Sequence, residues 1–334
     1  MKSPITGKEM PLKRTLSKLK FRRDEFQFYK HFYHCENSGE HFTTSDLDEL
    51  NLRQVHNQYR DKHNIPFQNE IREIRRNFDL PSSKMSKILG FGPNSYRNYE
   101  NGEMPSISNG KLIQLISKPS SFRDMVNSCD SLENDFKIKL LRRLKEQMQT
   151  EKQNRFSMEM KLYLLGNGLP DCHTGFVKPD FEKLTEMVKF FAEKITPWKT
   201  SLNKLLFYSD FLAYRQRCYS ISGTRYRAIQ RGPVPNNYDS IYDYMVFEKN
   251  IIKVNHQISN DIYGDRFEIF EDNSFNEEIF NESEIEILNK VCTIFKDMTA
   301  SDVVRFSHKE KAWEENEKVK RLIDYKYAFA IDQV

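Results

Sequence analysis

Leu80-Pro-Ser-Ser-Lys-Met-Ser-Lys-Ile-Leu-Gly-Phe-Gly-Pro-Asn-Ser-Tyr-Arg-Asn-Tyr-Glu-Asn-Gly102 has the spacing of two short helices joined by a glycine-bearing turn. Ser82 or Ser83 is placed to cap the first helix, and Met85, Ile88 and Leu89 give it an apolar stripe. Gly90 permits a tight exit, and Pro93 suits the first turn of the second helix. That second helix would turn Tyr96 and Tyr99 inward and leave Asn94, Ser95, Arg97 and Asn98 outside. Those are side-chain types that pair with base edges and phosphates, so the pattern predicts a helix-turn-helix facing DNA. The competing reading is an ordinary helical hairpin with a solvated polar face.

Before this pair, a helix over 69–78 would bury Ile71, Ile74 and Phe78 and expose Arg72, Arg75 and Arg76. Another over 106–117 would close the bundle through Leu112, Ile113, Leu115 and Ile116. Ser83, Lys84 and Arg76 join the expected DNA face, and Arg72, Lys87 and Lys111 are further candidates for phosphate contact. Upstream, Thr44 caps an amphipathic helix carrying Leu47, Leu50, Val55 and Tyr59, which ends before Asn64-Ile-Pro66. The dense aromatics Phe26, Phe28, Tyr29, Phe32 and Tyr33, a break at Asn37-Ser-Gly39 and the run His41-Phe-Thr-Thr predict a small β-rich front. Downstream, 131–165 reads as a long charged helix, packed on its own domain or pairing with a second chain. Gly166-Asn-Gly-Leu-Pro170 then reads as a linker. The expected organisation is 1–64, 65–128, 129–170 as a helical connector, and 171–334. The fold class is mainly α, α+β overall.

With 334 residues, 38% hydrophobic and 30% charged, the chain has material for two or three domains. It has no apolar run near the roughly twenty residues of a membrane helix, and its first residues lack a signal-peptide core. Cys35, Cys129, Cys172, Cys218 and Cys292 are scattered without a disulfide framework, as in a reducing cytoplasm. The net charge of +4 is small, but the first thirty residues are rich in Lys and Arg while 261–286, beginning at Asp261, is strongly acidic. A basic front adds phosphate contacts and an acidic back suits a basic partner; the plainer alternative is solvated surface. No phosphate-cradling glycine loop, His-Glu-x-x-His, nucleophile elbow or paired Cys-x-x-Cys occurs. No cofactor, no metal and no enzymatic activity are expected, His308 lacking an evident third member for a catalytic triad.

The Asn94-to-Gly102 run, followed by Pro105-Ser106, resembles the helix-turn-helix of MqsA-type antitoxins, with Asn98 where that family has a base-reading Arg and Arg97 one position earlier. An Asn suits adenine and an Arg guanine, so the departure implies an altered operator. Glu100 reads better as an intramolecular partner than as a base reader. Ser3-Pro-Ile-Thr-Gly7 and Cys35-Glu-Asn-Ser-Gly-Glu40 are similar to the two knuckles of that family's zinc module, with Ser3, Thr6 and Ser38 at three of the four thiol positions. Hydroxyls are poor zinc ligands, so this implies a module without its metal, although His31, His34 and His41 lie near Cys35.

Lys204-Leu-Leu-Phe-Tyr-Ser-Asp-Phe-Leu-Ala-Tyr-Arg215, then Ser222-Gly-Thr-Arg-Tyr-Arg-Ala-Ile-Gln-Arg-Gly-Pro-Val-Pro235, then Ser307-His308 with Trp313, closely resemble the ordered motifs of the Panacea, or SocA-like, antitoxin domain. The resemblance implies a type II antitoxin that binds a protein toxin encoded by an adjacent gene and represses its own operon by binding operator DNA. A homodimer would match an inverted-repeat operator, and no membrane is involved. Tyr208, Asp210, Tyr214, Tyr226, Arg231, Gly232 and Pro233 are the expected toxin-contact residues, with core packing the alternative for the aromatics and Gly232-Pro-Val-Pro235 read as a rigid turn. Asp210 on an apolar helix face needs a partner wherever it lies. The rival functions are a stand-alone regulator whose last domain senses a ligand or protein, and an adaptor delivering a protein to a protease.

Overall fold

The computed structural model describes residues 1–166, 168–259, 262–331 and 334; Asn167 of the expected linker and Asp261 of the acidic stretch lie outside the described residues. The architecture is mainly helical with small sheets, α+β overall. The chain divides into two compact units, Met1–Glu159 and Met160–Val334.

The first unit opens with a long antiparallel hairpin, β1 (Leu12–Phe21) and β2 (Asp24–His34), in register from Leu12 opposite Tyr33 to Phe21 opposite Asp24. The basic front is therefore largely a strand, and its turn is Arg22-Arg23 with Arg22 in the left-handed region at φ 56°. The break at Asn37-Ser-Gly39 leads into a short β3 (His41–Phe42) on the other edge of β2. Helix α1 (Ser45–His63) starts at the Thr44 cap and stops where Asn64 turns left-handed. It buries Val55 and Tyr59 against Phe26 and Phe28. Leu47 and Leu50 are only half-buried; the buried positions between them and Val55 are the polar Asn51 and Gln54. Their amides bond the backbone N–H and C=O of His31 and Tyr29, at 2.8 to 3.0 Å, and so complete the edge that β3 is too short to cover.

A helical bundle follows: α2 (Gln68–Asn77), α3 (Ser82–Ile88), α4 (Ser95–Glu100), α5 (Ile107–Leu115), α6 (Pro119–Asn127) and α7 (Asn134–Gln153). One core joins Ile71, Ile74 and Phe78 to Met85, Ile88, Tyr96, Ile113, Phe122 and Leu140. Helix α6 was not expected, although Pro119 at its first turn is a start signal. Leu115, expected inside, is 56% exposed. The long helix over 131–165 is broken at Asn154 into α7 and α8 (Arg155–Leu165), and α7 packs on its own bundle through Leu140 and Leu144. The stretch 129–170 is thus split between the two units, and hairpin and bundle form one body. Arg22 donates to the carbonyls of Met104 and Pro105, and Arg60 to those of Pro66 and Glu103.

The second unit is built on α10 (Lys199–Arg217), which follows α9 (Phe181–Ile195). An apolar face was expected on α10, but it is buried all round from Ser201 to Tyr214. Around it stand the hairpin β4 (Tyr226–Ile229) and β5 (Gly232–Pro235), then α11 (Tyr238–Phe247) and a second hairpin of β6 (Ile252–Ser259) and β7 (Ile262–Glu268). α12 (Glu282–Phe295), α13 (Ala300–Ser307) and α14 (Lys311–Glu314) complete it. Gly232-Pro-Val-Pro235 is a buried strand rather than a turn; the turn is Gln230-Arg231. Within the acidic stretch Glu284 is internal, paired with Lys183 and Arg217 at 2.7 Å, whereas Glu271, Asp272, Glu277, Glu278, Glu282 and Glu286 are exposed. No helix among the described residues is long and apolar enough to cross a membrane.

Candidate functional site

Four polar side chains form one exposed stripe on α4 and its two ends. Asn94, Arg97, Asn98 and Asn101 are all exposed, and their spacing of three, four and seven residues puts them on one helical face. Asn101 was not foreseen; its place seven residues after Asn94 was the available signal. Ser95 is half-buried, and the helix begins there rather than at Pro93, with Asn94 as its cap residue. Neither Ser82 nor Ser83 caps α3, which follows Pro81 without a side-chain cap. Ser83 is exposed, and Ser86 performs the fixing instead: its Oγ accepts from the Tyr96 N–H at 3.1 Å.

The opposite face of α4 is held hard. Tyr96 Oη donates to the Ile71 carbonyl at 2.9 Å, and Arg75 Nε donates to Glu100 Oε1 at 2.6 Å. Asn109 Nδ2 donates to Tyr99 Oη at 2.9 Å. Burial pushes the Tyr96 phenol up, so it stays protonated and a donor. The stripe is thereby carried on a helix with little freedom to rotate. Arg76, Arg72, Lys87 and Lys111 are exposed, while Lys84 lies half-buried with its Nζ over the Phe136 ring at 4.7 Å.

At the start of the chain, Ser3, Thr6, Cys35 and Ser38 converge. Ser3 Oγ lies 3.2 Å and Thr6 Oγ1 3.8 Å from Cys35 Sγ. Two backbone turns shape the cage, Gly7 N–H to Ser3 O and Gly39 N–H to Cys35 O. The thiol is sealed from solvent but lies in a thin surface shell, and hydrogen bonds from Ser3 first, then Ser38 and Thr6, pull it down to about 6. Among the described residues no group of three or more His, Cys, Asp or Glu could hold a metal. His31 is buried against Asn51, and the His41 ring stacks on Phe32 at 4.1 Å.

In the second unit the motif residues go inward. Tyr208, Asp210 and Tyr226 are 0% exposed, and Tyr214, Gly232 and Pro233 are buried. These six are therefore corrected from contact surface to framework; of the seven, Arg231 alone is exposed. Asp210 is the hub. It accepts from Ile221 N and Ser222 N at 2.8 Å, from Ser222 Oγ at 2.6 Å and from Tyr226 Oη at 2.7 Å. Burial pushes its carboxyl up, and those donors pull the other way. Tyr208 Oη donates to the buried Glu310 at 3.1 Å.

Gly232 is a close approach: a Cβ there would meet Ser307 Oγ at 2.5 Å and Lys204 Cε at 2.7 Å, at a φ of +100°. His308 stacks on Trp313 at 3.7 Å, and Trp313 Nε1 donates to the Ile229 carbonyl at 2.7 Å. Ser307 Oγ donates to Val304 O. Trp313, with the His308 ring stacked on it, thus ties the β4–β5 hairpin to the helices that follow, and Ser307 packs close beside Gly232. Beside that hairpin a cleft of about 1070 Å³ opens, lined by Lys204, Arg231, Tyr238 and Val304 among others.

Neither the curated proteins nor the solved structures yield a match to this chain. Residues 202–314, which run from α10 through both hairpins to α14, match the family model described as the antitoxin SocA-like, Panacea domain.

Proposed function

We propose that this protein is a type II antitoxin that neutralises a protein toxin, encoded by an adjacent gene, through direct contact with its second unit, and represses its own operon through α3 and α4. The observation that carries the reading is the antitoxin-domain match over 202–314. What supports the DNA half is the exposed stripe of Asn94, Arg97, Asn98 and Asn101 on a helix pinned from behind. In this reading the stripe reads base edges, Ser83 and Arg76 contact phosphates, and a homodimer meets two half-sites. The convergence of Ser3, Thr6, Ser38 and Cys35 supports the resemblance to a zinc module that stands without metal, with hydroxyls in place of thiolates. The protein works by binding, without catalysis, in the cytoplasm.

The test is growth of a bacterial host expressing the adjacent reading frame, alone, with the full chain, and with a chain ending at Glu159. Rescue by the full chain but not by the shortened one is the expected result. Rescue by the shortened chain would move protection to repression, and a harmless neighbour would remove the toxin. A second reading, a DNA-binding regulator whose second unit responds to a ligand, is favoured by one observation, the cleft beside Arg231.

A further inference from the structure

Helix α10 is enclosed on every side, so each polar group on it must find a partner within the protein or in a ligand. Asn203 accepts from Tyr242 Oη at 2.7 Å, Tyr208 donates to Glu310, and Asp210 takes its four donors. Lys204 is 1% exposed, and among the described residues it has no hydrogen-bond or ion-pair partner. Its side chain lines the cleft of about 1070 Å³, whose volume lies at the upper end of small-molecule sites.

The charges around that cleft are unequally matched. Lys199 is tied to Asp239 at 3.1 Å and to Asp265 at 2.8 Å, and Arg305 is tied to Asp302. Lys204 and Arg231 both line the cleft and neither has a counter-ion among the described residues. Gly232 between them keeps the approach open, since a Cβ there would lie 3.2 Å from Lys204 Nζ. Arg231 and the ammonium form of Lys204, which a bound phosphate would favour, match a dianionic phosphate better than a single carboxylate does, and an arginine fork beside a lysine point charge is a usual phosphate pair. Tyr238, Val234 and Val304 provide an apolar wall for the rest of the ligand.

We propose that this cleft binds a phosphate-bearing small molecule of about nucleotide size, its phosphate seated between Lys204 and Arg231. The inference is independent of the antitoxin reading, because it rests on the cleft and its charges alone. Burial, and then the Arg231 charge, push the free Lys204 amine down to about 7, so it is open to acylation near neutral pH and bound phosphate would protect it.

The experiment is trace acetylation of the full chain at pH 7.5, with modification of each lysine read by peptide mass spectrometry. ATP, inorganic pyrophosphate and a Glu-rich peptide are the added probes. ATP or pyrophosphate is expected to slow labelling of Lys204 by at least about tenfold while Lys111 is unaffected. Arg231→Gln, on an exposed turn, is expected to weaken that protection, and Lys204→Met to abolish calorimetric binding of the same probe. Should Lys204→Met fail to fold, Arg231→Gln still decides. Absence of protection by either phosphate would overturn the proposal. So would protection by the Glu-rich peptide alone, which would give the cleft to a protein carboxylate, or ATP binding equal in wild type and Arg231→Gln.

Discussion

Helices α4 and α10 both carry motif-like polar residues, yet the bundle puts those of α4 outside and the second unit puts those of α10 inside. Asn94, Arg97, Asn98 and Asn101 meet solvent because only the Tyr96 and Tyr99 side of α4 has neighbours. Tyr208 and Asp210 are sealed because helices, a hairpin and the C-terminal turns close over α10 from every side. A motif on a helix covered on one side displays its chemistry; on a helix covered all round it holds the fold together.

Four experiments test this contrast. Asp210→Ala leaves two backbone N–H groups and two hydroxyls without their buried acceptor, and is expected to cost about 3 kcal/mol or more of stability. Urea unfolding of the full chain measures it, and an unchanged midpoint would mean that the hub is not structural. Asn98→Ala or Asn101→Ala is expected to weaken operator binding by about 1 to 3 kcal/mol with unfolding unaltered. A gel-shift series that finds unchanged affinity would remove those residues from the DNA face.

The third concerns pH. Burial raises Glu284, but the Arg217 and Lys183 charges outweigh it and hold the carboxyl below its ordinary 4.5. A carboxylate held low adds stability above its unfolded pKa and loses it as pH falls through its folded value. Unfolding followed from pH 6 to pH 3 should therefore show a decline below about 4.5 that Glu284→Gln reduces. A parallel decline in both proteins would place the acid sensitivity elsewhere. The smallest effect is expected of Arg76→Gln: a uniform loss of DNA affinity across sequences and a salt slope lower by about one contact. Sequence-selective loss would make Arg76 a base reader instead.

Much of the first unit was legible because its signals are local. Thr44 and Asn64 bracket α1, Ser106 opens α5, and Gly90 allows the turn between α3 and α4 at φ 68°. Strand β1 was not, because Leu12-Lys-Arg-Thr-Leu-Ser-Lys-Leu-Lys-Phe21 reads as a basic tail until its partner β2 is known, and Arg22-Arg23 is not turn vocabulary. The buried amides of Asn51 and Gln54 escaped for the same reason, since their role exists only opposite the edge of β2. Lys204 and Arg231, which line one cleft, belong to elements that meet only after folding, as do the Asp239 and Asp265 that occupy Lys199.

Legible in the chain alone were the mainly helical class, the limits of α1, α2 and α5, the exposed Asn94, Arg97 and Asn98 of α4, and the likeness of α10 and its following hairpin to an antitoxin domain. Periodicity, caps and glycine positions act within a few residues, so one strand of text is enough to read them. Packing makes six of the seven expected contact residues framework, and it brings Lys204 and Arg231 to one cleft without counter-ions among the described residues. Burial and charge pairing are sums over neighbours distant in the chain, and only the folded packing supplies those neighbours.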